Sequence, residues 1–220
     1  MIRIALIATL LAGLTGEAQA EAYENAVSIG AYIYGFNSSS KDLAGPYTPP
    51  GVRVSVANAD TVALIYTRML TPDWSVTLAL GTPPTYHLVG KDAAAPLGLL
   101  ANLRAASPAL IVQHHWQFED GKLEPFVGLG IDYNHFYHLR ASQSLEGALG
   151  GLTTISVNDV WSPVITAGAN LNITEQTFIT LAASYVGLAA APQLTTGSVS
   201  RSISVQLNPV VYRLTVGYRF

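Results

Sequence analysis

Residues 208–220 read NPVVYRLTVGYRF (Asn208–Phe220). Every second residue from Val210 through Tyr212, Leu214, Val216 and Tyr218 to Phe220 is apolar, while Val211, Arg213, Thr215, Gly217 and Arg219 between them are mostly small or charged. In a strand the two sets face opposite sides. A terminus ordinarily frays in water. An alternating strand tipped with aromatics at residue 220 therefore calls for a surrounding medium that buries one of its faces.

Bulk composition points to the same need. Half of the residues are hydrophobic and 11% are charged, against about 25% charged in an ordinary soluble domain. Mean hydropathy is +0.33. A transmembrane helix needs about 18 unbroken apolar residues or more, and the longest candidate is Ile4–Leu14. That run follows Arg3 and precedes an Ala18-Gln19-Ala20 cleavage pattern, so residues 1–20 read as a secretory signal peptide and 21–220 as the mature chain. Removing one base and one acid with the peptide leaves the net charge at −3, with no basic patch for nucleic acid. Cysteine is absent, so disulfides do not hold this exported chain together.

A closed β-barrel in a membrane reconciles these features, because it satisfies its backbone without long apolar runs. Soluble sandwiches and lipocalin-like barrels are the competing class. Eight strand-like stretches lie near Ala26–Phe36, Asn58–Met69, Trp74–Gly81, Pro108–Phe118, Leu123–Phe136, Trp161–Leu171, Thr177–Val186 and Pro209–Phe220. Most approach the 9–11 residues that a tilted strand needs to cross a bilayer. The connections alternate long and short throughout: residues 37–57, 82–107, 137–160 and 187–208 against LTPD (Leu70–Asp73), EDGK (Glu119–Lys122) and NITE (Asn172–Glu175). Transmembrane barrels sort their connections by end in this way, with short periplasmic turns and long extracellular loops. The fold expected is an all-β, eight-stranded antiparallel transmembrane β-barrel.

Several strands declare their faces. Val127, Leu129, Ile131 and Tyr133 form a greasy face opposite Gly128, Gly130, Asp132 and Asn134. Trp74, Val76, Leu78 and Leu80 oppose Ser75, Thr77, Ala79 and Gly81. The greasy sets should meet lipid, with Trp74, Tyr133 and Tyr218 in interfacial girdles. In Thr177–Val186 both faces are apolar: Phe178, Ala182 and Val186 against Ile179, Leu181, Ala183 and Tyr185. Either the interior is simply packed, or apolar groups line part of a lumen. Eight strands leave little bore, and so few charges make a water-filled pore hard to build.

Leu78–Pro84, Ser107–Tyr137, Asp159–Ile173 and the closing LNPVVYRLTVGYRF together resemble the OmpW family of Gram-negative outer-membrane proteins. The Pro-Phe-Val-Gly-x-Gly-x-x-Tyr pattern at Pro125–Tyr133 and the Gly-Tyr-Arg-Phe ending carry the likeness. The resemblance implies an outer-membrane barrel around a narrow, largely hydrophobic channel through which small hydrophobic solutes pass. It also implies that Phe220 and Tyr218 form a signal read by the barrel-assembly machinery, and outer-membrane lipids as the surrounding partner. Channel-lining candidates are Thr77 and Ala79 by alternation, with Leu181 and Tyr185 placed inward by the resemblance. RAASPAL (Arg104–Leu110) departs from the family's usual Leu-Pro-Pro before the fourth strand.

No cofactor is expected and no catalysis. Asp132, His135 and His138, with Ser142 or Ser144 nearby, are the best approach to a nucleophile–base–acid set. His135 and His138 are three apart in a strand and point to opposite faces, which weakens a metal site. Gly128-x-Gly130 lies mid-strand with no helix after it, so it is no nucleotide loop. The alternatives to a channel are a structural or receptor-like barrel with a plugged lumen, and a membrane-embedded lipid-modifying enzyme.

Deleting Phe220 is expected to reduce the heat-modifiable barrel in the membrane fraction while total exported protein stays near the wild-type level. Quantitative gel mobility of unheated and heated samples checks it; equal folded fractions would remove Phe220 from any role in insertion.

Overall fold

The computed structural model describes residues 25–118 and 121–220; the signal-peptide reading of residues 1–20 falls outside them. Eight antiparallel strands form the barrel: β1 (Asn25–Gly35), β2 (Ala59–Met69), β3 (Trp74–Gly81), β4 (Ala109–His115), β5 (Leu123–Ala141), β6 (Val160–Asn172), β7 (Thr177–Val186) and β8 (Val210–Arg219). Each pairs with its sequence neighbours, and β8 returns to β1 in register from Ala26↔Arg219 to Gly35↔Val210. Asn25 and Phe220 exchange both backbone bonds, at 3.2 and 2.8 Å. Closure leaves no unpaired strand edge within the barrel, the condition for standing in hydrocarbon.

The pleat sorts the side chains as alternation predicts. Val127, Leu129 and Ile131 of β5 and Tyr212, Leu214 and Val216 of β8 face outward and are exposed. In water such a surface would be a large apolar patch; in a bilayer it is the lipid contact. Aromatic groups mark its two borders. Trp74, His114 and Trp116 stack edge-to-face near the short-turn end, with ring centroids 4.8 and 4.7 Å apart. Tyr133 and Trp161 pair at 4.8 Å at the long-loop end. Of the two adjacent histidines, His114 joins the outer girdle and His115 is buried inside.

The long connections are structured, which alternation within the eight stretches did not reveal. β5 runs past the barrel to Ala141, and its upper part pairs with Leu99–Ala106. That strand pairs with Thr85–Asp92, which in turn pairs with Val52–Val56. The extension kinks at a bulge opposite Asn102–Arg104, where His138 takes φ 51°. Two further three-stranded sheets and a short helix, α1 (Gln143–Leu149), complete this layer. Ser142 caps α1 by accepting from the Leu145 amide, and Gly150 ends it in the left-handed conformation.

Inside so narrow a tube, bulk on one strand needs a gap on the next. Phe178 of β7 lies opposite Gly217 of β8, and a Cβ built on Gly217 would stand 2.2 Å from the tip of the Phe178 ring. Gly168 makes room for Phe126 in the same way: its Cβ would stand 2.8 Å from that ring and 2.5 Å from Ala182. Gly217→Ala is therefore expected to destabilise the folded barrel by about 1–3 kcal/mol. Gly147→Ala, on the exposed side of α1 with open space around it, should be neutral or stabilise by about 0.5 kcal/mol. Urea midpoints in detergent micelles separate the two; a neutral Gly217→Ala would refute the close-packed reading.

Candidate functional site

The inward residues divide the barrel into tiers. Near the short-turn end the lumen holds a polar network centred on Glu124, the first inward residue of β5. Arg219 donates to its Oε2 at 2.8 Å, and Asn170 donates to Oε1 at 3.2 Å. His115 Nδ1 lies 2.7 Å from Oε1, a close but oblique contact rather than an aligned hydrogen bond. Ser75 bonds the far ring nitrogen of His115 at 2.8 Å. Thr180 donates to Asn170, and Thr77 donates to Gln113 at 3.0 Å. The Arg219 guanidinium stands 4.5 Å from the Phe178 ring centroid and that of Arg213 5.5 Å from Phe126, cation–π distances for both. A buried carboxylate surrounded by cationic and amide donors is stable where an isolated one is not.

Above this network Ala63, Ile65 and Ala79 pack with Tyr32 and Ala109 across the bore. Higher still, where the barrel passes into the long-loop sheets, lies a second space of about 610 Å³, counting the part open to solvent. Eighteen residues line it, and Asp132 alone among them carries a charge. Tyr34, Phe36 and Tyr86 form an aromatic wall, with Phe36 meeting Tyr86 edge-on at 5.3 Å and stacking on Tyr34 at 6.1 Å. Burial first, and the Asp132 charge second, push the Tyr86 phenol above its ordinary value and keep it neutral. Ser107 and Asn134 are the other polar groups in the lining, and Ser107 donates to Asn134 at 2.9 Å. A smaller interior space of about 470 Å³ beside the Glu124 network shares no lining residue with it.

Thr77 and Ala79 point inward as alternation requires; both lie in filled parts of the lumen, with Thr77 fully buried. Leu181 and Tyr185 do not line the lumen. They are 66% and 47% exposed on the outer face of β7. The inward set is Phe178, Thr180, Ala182, Ser184 and Val186, with Phe178 opposite Gly217 and Ala182 opposite Gly168. Arg219 pairs with Glu124. Tyr218 and Phe220 face outward near the short-turn end.

The residues weighed for catalysis are not brought together. Asp132 is inside, whereas His135 is on the outer face, 2.9 Å from Asp159 Oδ1. Hydrogen bonds from Tyr133 first and His135 second hold the Asp159 carboxyl below its ordinary range. Ser142 is engaged as the cap of α1 and donates to the Leu99 carbonyl. Asn134, Ser107 and the aromatic wall escaped the sequence reading. Asn134 shares the inward parity of Asp132, but Tyr86 and Leu103 reach the cavity from strands within a stretch that reads as loop.

A family model described as the OmpW family matches residues 33–220. Outer membrane protein W of Escherichia coli (strain K12) is 28% identical over 166 residues, 76% of each chain. The Pseudomonas aeruginosa protein described as dibenzothiophene metabolism operon protein PahQ is 19% identical over 192 residues, 87% of this chain and 86% of its own. The crystal structure of the outer membrane protein OprG from Pseudomonas aeruginosa superposes with a TM-score of 0.80 at 21% identity, covering 93% of this chain and 99% of that one.

Glu124→Gln should lower barrel stability by about 3 kcal/mol, because it leaves the half-buried Arg219 without its carboxylate. Urea unfolding in detergent micelles reads the change; a loss under about 1 kcal/mol would show that the network contributes little.

Proposed function

The chain belongs to the OmpW family and is an outer-membrane β-barrel; on that premise we propose that it admits small hydrophobic molecules through its upper cavity. The apolar, aromatic-walled space at the long-loop end carries this reading. A porin would need a hydrated, charge-lined bore, and here one charged residue stands among eighteen. The PahQ relative, whose description places it in a dibenzothiophene metabolism operon, fits an apolar aromatic cargo.

The space beside the Glu124 network is polar and shares no lining residue with the upper cavity, which argues against an axial route, so the solute leaves sideways into the bilayer. The wall lacks one ladder hydrogen bond at the top of the β6–β7 seam. Their ladder begins at Val164↔Val186, and above it the Gly187 amide donates to the Pro163 carbonyl at 2.9 Å. Pro163 has no N–H with which to return a second bond. Val186 and Leu188 beside this gap line the cavity.

Cells making the barrel should take up labelled dibenzothiophene faster than cells without it. Ala190→Trp, which fills the cavity, should bring uptake down to the barrel-free rate while heat-modifiability shows the protein folded. A Pro163→Cys, Gly187→Cys pair should slow uptake when oxidised and recover under reductant. Undiminished uptake in folded Ala190→Trp would overturn the reading; undiminished uptake in the oxidised pair would overturn only the lateral exit.

A further inference from the structure

Asp132 stands out among the residues of the upper cavity. Its side chain is 6% exposed, its Oδ2 accepts a 3.2 Å bond from Asn134, and its Oδ1 has no hydrogen-bond partner among the described residues. None of the ion pairs among the described residues includes it. Arg213, the buried cation of β8, belongs to the lining of the lower space rather than to this one. A buried carboxylate without a cation is costly, and the contrast with Glu124, which has Arg219 and His115 in reach, lies within the same strand. The unmatched oxygen borders a cavity whose other walls, Ser107 and Asn134 apart, are apolar or aromatic.

We infer that the upper cavity is a binding site for apolar primary amines, with Asp132 receiving the ammonium and the aromatic wall receiving the hydrocarbon. This rests on the reading of that cavity as the solute site, and it narrows the class of solute. An ammonium brings three N–H donors and one positive charge, which matches one open acceptor oxygen with one uncompensated negative charge. Tyr34, Phe36, Tyr86 and Phe136 line the same space, and aromatic faces attract cations as well as apolar surface. An alcohol would satisfy the oxygen but leave the charge unmatched. A hydrocarbon would do neither, and a carboxylic acid in its ionised form would be repelled.

The test compares 2-phenylethylamine, 2-phenylethanol and ethylbenzene, which share a skeleton and differ in the terminal group. Binding is measured by titration calorimetry at neutral pH with the folded barrel in uncharged phosphocholine nanodiscs, against empty nanodiscs. Wild type should bind the amine about tenfold more tightly than the alcohol, and Asp132→Asn should bring that ratio close to one. Because Asp132→Asn could fail to fold, a second measurement uses wild type alone: with aspartate carboxyl carbons labelled, the Asp132 resonance should shift on adding amine and not on adding alcohol. Equal binding of amine and alcohol to wild type, or an amine preference that survives Asp132→Asn, would overturn the amine inference while leaving the hydrophobic-solute reading in place. Failure of all three compounds to bind would overturn both.

Discussion

An unpaired amide in hydrocarbon costs several kcal/mol, and the rest of this molecule depends on how that constraint is met. The pairing of Asn25–Gly35 with Val210–Arg219 closes the ladder. Closure at eight strands then sets the bore, and the bore sets what the interior can hold. The apolar outer face is the one that a bilayer covers. The interior has no such supply and must fill itself from its own inward residues.

Two solutions to that filling are stacked in one tube. In the lower half, aromatic rings rest against glycines and a carboxylate is matched by Arg219, Asn170 and His115. In the upper half the barrel passes into the long-loop sheets. The lower tier encloses a smaller polar space in which Glu124 is matched; the upper tier encloses an apolar volume with one acidic oxygen unmatched. The separation resembles a cup more than a pipe, which is why solute capture and transmembrane conduction are different questions for this protein.

Strand positions were readable because a two-residue period over ten residues is a strong signal, and alternating long and short connections sort themselves only in a barrel. Faces were readable where one side was polar, as in Trp74–Gly81 and Pro125–Phe136. On β7 the polar marks are only Thr180 and Ser184, between Phe178, Ala182 and Val186; they place that face inward, and shape agrees, Phe178 against Gly217 and Ala182 against Gly168. Such pairings depend on register between strands, which one strand's sequence does not contain. The Glu124 network was half legible: Glu124 and Arg219 each sit at inward parity, but their 95-residue separation hides the pairing. The cavity was least legible, because its walls come from short pairings in the long connections, where alternation is too brief to stand out from loop.

The seam that closes the barrel has a kinetic consequence. Every other strand pairing within the barrel joins neighbours in the chain, so each can form once its predecessor is in place. The β8–β1 pairing joins elements at opposite ends of the sequence, and its loop-closure entropy is the largest in the molecule. Rates of folding fall as contacts become less local. Until that seam zips, β1 and β8 each present an open edge to the membrane, so the half-built sheet is the species most exposed to misassembly. The reciprocal bonds between Asn25 and Phe220 are thus the clasp of a structure whose slow step is fastening itself.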